Sequence, residues 1–364
     1  MTAPAPRPGI LDISPYVGGE SKIAGVDRII KLSSNEGALG PSPKAVAAYQ
    51  AIGPEMHRYP DGHAVKLRQA IAARHGLDAS RIVCGCGSDE ILQLLARAYA
   101  GPGDEVLYSR HAFIVYPIAA LSAGATPVAA EEVDLTASVD HLLAKVTQHT
   151  KVVFLTNPNN PTGTYIPASE VKRLRDGLAE HVLLVIDAAY AEYVGRNDYS
   201  DGAELVENSE NVVMTRTFSK IYGMGGMRVG WGYCPTAIAD VLNRIRGPFN
   251  VSSAALAAAQ AAIEDSAFTE LARRHNDYWL PWLAERMTAL GLEVVPSVAN
   301  FILVRFPAEG KTAKAADAHL RSKGIIVRGV GSYGLPDYLR ITIGRDDEVK
   351  AVAEAVSEFM GASE

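Results

Sequence analysis

The sequence predicts an α/β fold: a large domain on a mostly parallel sheet flanked by helices, followed by a smaller α+β domain. Three observations predict it. Short β-branched runs stop abruptly in polar or glycine-rich residues, helical patterns lie between them, and the pattern changes after about residue 250. Continuous apolar runs suit parallel strands buried on both faces, and the helical stretches are the crossovers such strands require. On this reading residues 1–30 form an N-terminal arm, 31–250 the large domain, and 251–364 an interdomain helix with the small domain.

In chain order the strand candidates of the large domain are "RIVCGCGSDE", "DEVLYSRHAF", "KVVFLTNPNNPTG", "HVLLVIDAAY" and "NVVMTRTFSK". Helical patterns such as "DEILQLLARAYA" and "ASEVKRLRDGLAEH" separate them. A long alanine-rich segment, "SSAALAAAQAAIEDSAFTELARRHNDYW", reads as one helical link to the small domain. There "LEVVPSVANFILVRF", "GIIVRGV" and "YLRITIG" read as strands and "DEVKAVAEAVSEFM" as the closing helix. The Pro- and Ala-rich first few residues are expected to be mobile.

A chain of 364 residues with 48% hydrophobic and 21% charged residues has ample material for a core. Its net charge of −6 argues against nucleic acid, which is bound through accumulated Lys and Arg. The absence of a long apolar run or a signal-like apolar start points away from the membrane and towards the cytoplasm. Three cysteines do not make a disulfide framework, and no His or Cys spacing suggests a metal site, so Cys84, Cys86 and Cys234 read as buried apolar thiols.

In open parallel sheets ligands collect beyond the carboxyl ends of the strands, so the residues closing these runs should converge: Ser88, Phe113, Asn160, Asp187 and Lys220. A lysine partly desolvated at a strand end has a lowered pKa, and its free amine can form a Schiff base with an aldehyde. Pyridoxal 5'-phosphate is such an aldehyde. It further demands an acid for its ring nitrogen, a cradle for a phosphate and donors for its phenolic oxygen. Asp187, closing "VLLVI", can meet a pyridinium; alternatively it caps a helix or turn. Gly87 and Ser88 can offer backbone N–H groups at a helix start, although Ser88 serves equally as a cap.

Thr217 and Ser219 add hydroxyls, and Arg228 a charge-assisted contact to the same dianion, with the glycines of "YGMGGMRVG" permitting close approach. A dinucleotide fingerprint is the competing reading of that run, but the run does not directly close a strand. Asn160 can present its amide from a proline-stiffened loop. Tyr190 can donate to the phenolic oxygen or simply fill the core, and Phe113 can cover the ring.

The ordered set "GSDE", "NPNNPTG", "DAAY", "TFSK", "GMRVG", "LRITIG" resembles the aspartate-aminotransferase-like fold of pyridoxal-phosphate enzymes, and within it the histidinol-phosphate aminotransferase family. "PYVGGES", "LSSNEGALGPSPKA" and "HRYPDGHAVKLRQAIA" resemble the same family, so the likeness covers nearly the whole chain. It implies a seven-stranded sheet (fold type I) and a Schiff base on Lys220. Asp187 would lie at the pyridine nitrogen, Asn160 and Tyr190 at the phenolic oxygen, and Gly87, Ser88, Asp89, Thr217, Ser219 and Arg228 at the phosphate. Tyr59 of "RYP" would reach the neighbouring subunit's site, which implies a homodimer. Arg340 would take the α-carboxylate, with Arg328, Tyr16 and Asn35 also at the substrate.

The implied reaction is ping-pong transamination, with glutamate and 2-oxoglutarate as second pair. "NEGALG", "PYVGGES", "HAFIVY" and "DAAYAEY" depart from the family's usual NENPLG, PY-x-P-G, PTF-x-x-Y and DEAY. No cofactor group is removed, but the substrate pocket is touched, which keeps an aromatic amino acid aminotransferase as the alternative. A decarboxylase or lyase on the same scaffold is a further rival.

Overall fold

A computed structural model describes residues 4–16, 18–25 and 28–361, apart from the side chains of 307 and 308. Residues 1–3, for which the sequence suggests mobility, lie outside the described residues. A seven-stranded sheet runs, edge to edge, Ile82–Gly85, Gly230–Tyr233, Val212–Thr217, Leu183–Asp187, Thr150–Thr156, Glu105–Ser109, Thr126–Ala130. The central pairings are parallel, and only Gly230–Tyr233 runs antiparallel to both neighbours. Leu183–Asp187 and Val212–Thr217 are buried along their whole length, as continuous apolar runs demand.

Five of these strands correspond to the predicted runs; two do not. Thr126–Ala130 is an edge strand, where Pro127 is tolerated, and its half-exposed face gives little periodic signal. Gly230–Tyr233 begins at the end of the glycine-rich run and is not among the predicted strands. Gly230 belongs there because a Cβ would sit 2.3 Å from the Ser88 nitrogen, at the start of the packed helix Ser88–Tyr99.

The expected single alanine-rich helix is two, Ser253–Glu264 and Ser266–Ala289, broken at Asp265, whose φ of −89° and ψ of 66° interrupt the helix. The first packs on Pro43–Ala51 and Val65–His75 in the large unit; the second crosses to the small one. There a four-stranded antiparallel sheet runs Glu293–Val295, Phe301–Arg305, Leu335–Thr342, Arg328–Val330, with Asp346–Met360 packed on it. Ile30–Lys31 pairs with Ile325–Ile326, and Ile30 and Leu32 lie in this second core, so the chain leaves the small unit just before it reaches the large one.

Cys84 and Cys234 are buried, and burial pushes both thiols up to about 12. Cys86, read as buried, is exposed: it sits outside the strand, its N–H bonded to Glu90. Among the described residues no helix is long and apolar enough to cross a membrane.

Candidate active site

Where the parallel strands end, the two cores enclose a cavity of about 260 Å³. The large sheet supplies its floor, the small sheet one wall, and the segment around Ser33–Glu36 passes between them. Of the sequence-predicted site residues, only Gly87 and Tyr59 do not line it.

Lys220 follows the strand Val212–Thr217 and reaches inward, Nζ lying 3.5 Å from the Ser34 carbonyl oxygen and 5.6 Å from the centre of the Tyr190 ring. Burial pulls its pKa down to about 8, and repulsion from Arg340 adds to this. A tenth or so of the amine is then unprotonated at neutral pH, against far less for a solvated lysine. Two glycines hold the loop in place. A Cβ on Gly37 would meet the Lys220 carbonyl oxygen at 2.6 Å, and one on Gly223 would meet the Gly40 backbone at 2.2 Å. Gly223, one of the glycines of "YGMGGMRVG", thus serves with Gly37 to let loop 34–40 lie backbone to backbone on the lysine loop, while Gly225 of the same run lines the cavity.

Asp187 ends its strand buried, and burial raises its pKa to about 6. Its carboxylate accepts from the Tyr116 hydroxyl at 2.9 Å and the Thr215 hydroxyl at 3.3 Å, and it caps no helix. These are neutral donors; a cation is what this carboxylate lacks. Tyr116 was missed by the sequence reading. It lies in the apolar helix Val115–Ala123, stacked on Phe154, and only the last letter of "HAFIVY" hints at it. Its hydroxyl also lies 2.5 Å from that of Thr156.

The helix Ser88–Tyr99 begins with Gly87 as its N-cap, at φ 81° and without a side-chain cap, so Ser88 is not a cap and the first N–H groups are open. A Cβ at Gly87 would lie 2.5 Å from Arg228 Nη2, so glycine is what admits the guanidinium. Arg228 bonds Ser219 Oγ at 3.3 Å and Asp89 at 3.2 Å; that ion pair is more than a third exposed on both sides and therefore weak. Thr217 Oγ1 accepts the Ser219 N–H. Open helix N–H groups, hydroxyls and an arginine form an anion cup.

Across the cavity the antiparallel register pairs Arg328 with Arg340. Like charges directly opposite are unfavourable in a sheet, which makes sense where an anion lies between them. Arg340 is buried; desolvation lowers its pKa and Arg328 adds repulsion. It donates to Asn160 Oδ1 and, at 2.9 Å, to the Ser33 carbonyl, while its Nε is buried with no partner among the described residues. With its oxygen engaged, Asn160 has its NH2 left to donate.

Tyr190 is buried and its pKa rises to about 12, chiefly through burial; its hydroxyl accepts from Asn35 Nδ2 at 2.9 Å. Asn35, expected at the substrate, is therefore also the residue that orients Tyr190. Phe113 stands edge-on to Tyr116, Tyr16 is exposed at the mouth, and Arg328 is half-buried. Tyr59 is 82% exposed and stacks on Phe249 at 4.8 Å, away from its own chain's cavity.

The arrangement fits pyridoxal phosphate. The buried Asp187 lacks the cation that a protonated ring nitrogen provides, the cup suits a phosphate dianion, and the partly neutral Lys220 suits an aldehyde.

Comparison with known proteins agrees. Residues 27–356 match the model of the family "Aminotransferase class I and II". The histidinol-phosphate aminotransferases of Paramagnetospirillum magneticum and Rhodospirillum centenum are 69% and 60% identical, each aligned over 99–100% of both chains. The crystal structure of histidinol-phosphate aminotransferase from Sinorhizobium meliloti in complex with pyridoxal-5'-phosphate superposes with a TM-score of 0.90 at 28% identity, covering 99% of each chain. Aspartate aminotransferase from Thermus thermophilus with maleate, 21% identical with a TM-score of 0.80 over 91% of each chain, shares the fold. A lysine, a buried acid and an anion cup at the strand ends, in a chain matched along nearly its whole length, mean that this protein belongs to the aminotransferase class I and II family.

Proposed function

We propose that this protein transfers the amino group of histidinol phosphate to 2-oxoglutarate, using pyridoxal phosphate attached to Lys220. The observation that carries the reading is the meeting of a partly neutral amine, a buried carboxylate and two separate anion sites in one cavity. The full-length relatives of the same name support the choice of donor.

Bound there, pyridoxal phosphate supplies an aldehyde that takes up the amino group and a protonated ring that draws electrons from the donor's α-carbon. Asp187 keeps the ring nitrogen protonated, and Tyr116 and Thr215 hold that carboxylate in place. Asn160 and Tyr190 donate to the phenolic oxygen, while Ser88, Ser219, Thr217 and Arg228 bind the phosphate, with Asp89 steadying the arginine. The Lys220 amine, placed inside the cavity, would serve as the base that moves the proton at the donor's α-carbon. Arg340 and Arg328 hold the donor's anionic group and, in the second half-reaction, the carboxylates of glutamate.

The active species is proposed to be a cytoplasmic homodimer. In support, Tyr59 and Phe249 stack on the surface, an exposed aromatic pair that a second copy would cover. Tyr59 would then reach the partner's phosphate cup.

Initial rates with 2-oxoglutarate as acceptor test the donor. Histidinol phosphate is expected to give glutamate with a kcat/KM well above that of phenylalanine or tyrosine. Turnover of the aromatic amino acids without histidinol phosphate would replace this reading by the aromatic aminotransferase, and release of carbon dioxide by the decarboxylase.

A further inference from the structure

The cavity is lined by three carboxylates, and the proposed chemistry uses two: Asp187 at the ring nitrogen and Asp89 on Arg228. The third is Glu36. Its side chain is 53% exposed, so no demand of folding holds it there. Its position is nonetheless fixed. The Glu36 carbonyl accepts from Asn300 Nδ2 at 3.1 Å, and the adjoining Gly37 is pressed against the Lys220 carbonyl, where a Cβ would not fit. The loop carrying Glu36 is thus docked on the loop carrying the reactive lysine. The negative charge of Glu36 is felt at the Lys220 amine, which it works to keep protonated.

One carboxylate oxygen, Oε1, takes a bond from Lys31 Nζ at 2.7 Å. No hydrogen bond to Oε2 comes from the described residues, and Lys31 itself does not line the cavity. Glu36 therefore brings an acceptor with one oxygen unengaged to a cavity whose other walls carry Lys220, Arg328 and Arg340. A phosphate or carboxylate is repelled by Glu36 and drawn to the arginines; an imidazole, with an N–H to donate, is attracted.

We infer that Glu36 determines donor specificity: its carboxylate accepts the ring N–H of the donor's imidazole and turns the donor's phosphate towards the Arg328–Arg340 pair. The inference rests on histidinol phosphate being the donor. A site built to bond an N–H discriminates against ligands lacking it. Because Glu36 is half in water, the effect is modest, about tenfold.

The test compares two half-reactions of the holoenzyme, followed separately by cofactor absorbance in single turnovers, with histidinol phosphate or with glutamate as donor. Glu36→Gln is expected to lower the apparent second-order rate constant for histidinol phosphate about tenfold and to leave glutamate unchanged or faster. Lys31→Met breaks the same ion pair but keeps the carboxylate, so histidinol phosphate should react as in the wild type or faster. If Glu36→Gln slows both donors alike, if it spares histidinol phosphate, or if Lys31→Met reproduces it, the pair is structural and the inference is overturned. A wild-type enzyme that does not react with histidinol phosphate would instead refute the donor, and this inference with it.

Discussion

At the residue scale the site is defined by two groups held away from their ordinary protonation. Lys220 is pulled down to about 8 and Asp187 pushed up to about 6, both chiefly by burial. Each shift is an energy cost to the protein without its cofactor. Asp187 is destabilising once ionised, so its penalty is absent below the unfolded value near 4, grows as pH rises, and is complete above about 6. Lys220 has the mirror sign: its penalty is complete below about 8 and is relieved as pH rises towards 10.5. Asp187→Asn should therefore stabilise the cofactor-free protein at pH 7.5, by on the order of 1 to 3 kcal/mol, with the gain vanishing below about pH 4. Denaturant melts with and without pyridoxal phosphate check this: the same variant should lose most of the stabilisation the cofactor gives. Unchanged apo stability would mean that the carboxylate is not strained in its burial. Both groups were legible in the sequence because each is a polar residue closing a buried run. Tyr116 was not, since a hydroxyl that matters inside an apolar helix looks like any packed aromatic.

At the element scale, strand register does the work of placing charges. Arg328 and Arg340 come from separate strands, yet the antiparallel pairing sets them opposite one another. Their roles follow from burial. Arg340 is buried and tied to Asn160 and Ser33, whereas Arg328 is half-buried nearer the mouth. Arg340→Ala is expected to raise KM for every amino donor by one to two orders of magnitude, roughly the 1.5 to 3 kcal/mol of a charge-assisted contact. Arg328→Ala should chiefly impair the phosphorylated donor. Equal losses for phosphorylated and unphosphorylated donors in both variants would contradict this division. The sequence showed the strands bearing these arginines through their β-branched runs, but it could not show their register, which depends on the partner strand. Nor could it show Gly230–Tyr233 as a strand. Its two glycines carry no strand signal, and Gly230 is explained only by the closeness of the Ser88 nitrogen. The break at Asp265 was hidden for a related reason: the sequence favours helix on both sides of it, and the first core takes residues from both helices, so neither helix propensity nor burial marks the point.

At the scale of the whole molecule, an acidic chain gathers four basic side chains, Lys220, Arg228, Arg328 and Arg340, around one cavity between its two cores. Three carboxylates share that lining, so a protein of net charge −6 draws anions through where the basic groups stand, at the phosphate cup and at the arginine pair, and not through its overall balance. The architecture also explains why the site is made of parts so distant in sequence. The large sheet brings strand ends, the small sheet brings the arginine pair, and residues 30–36 run from one core to the other, carrying Asn35 and Glu36 into the gap. The central claim is that this convergence exists to hold pyridoxal phosphate on Lys220. Borohydride reduction of the holoenzyme followed by peptide mapping tests it directly. The account predicts a single phosphopyridoxyl group, on the peptide containing Lys220, and none there in Lys220→Ala; label on another lysine, or spread over several with Lys220 unmodified, would contradict it.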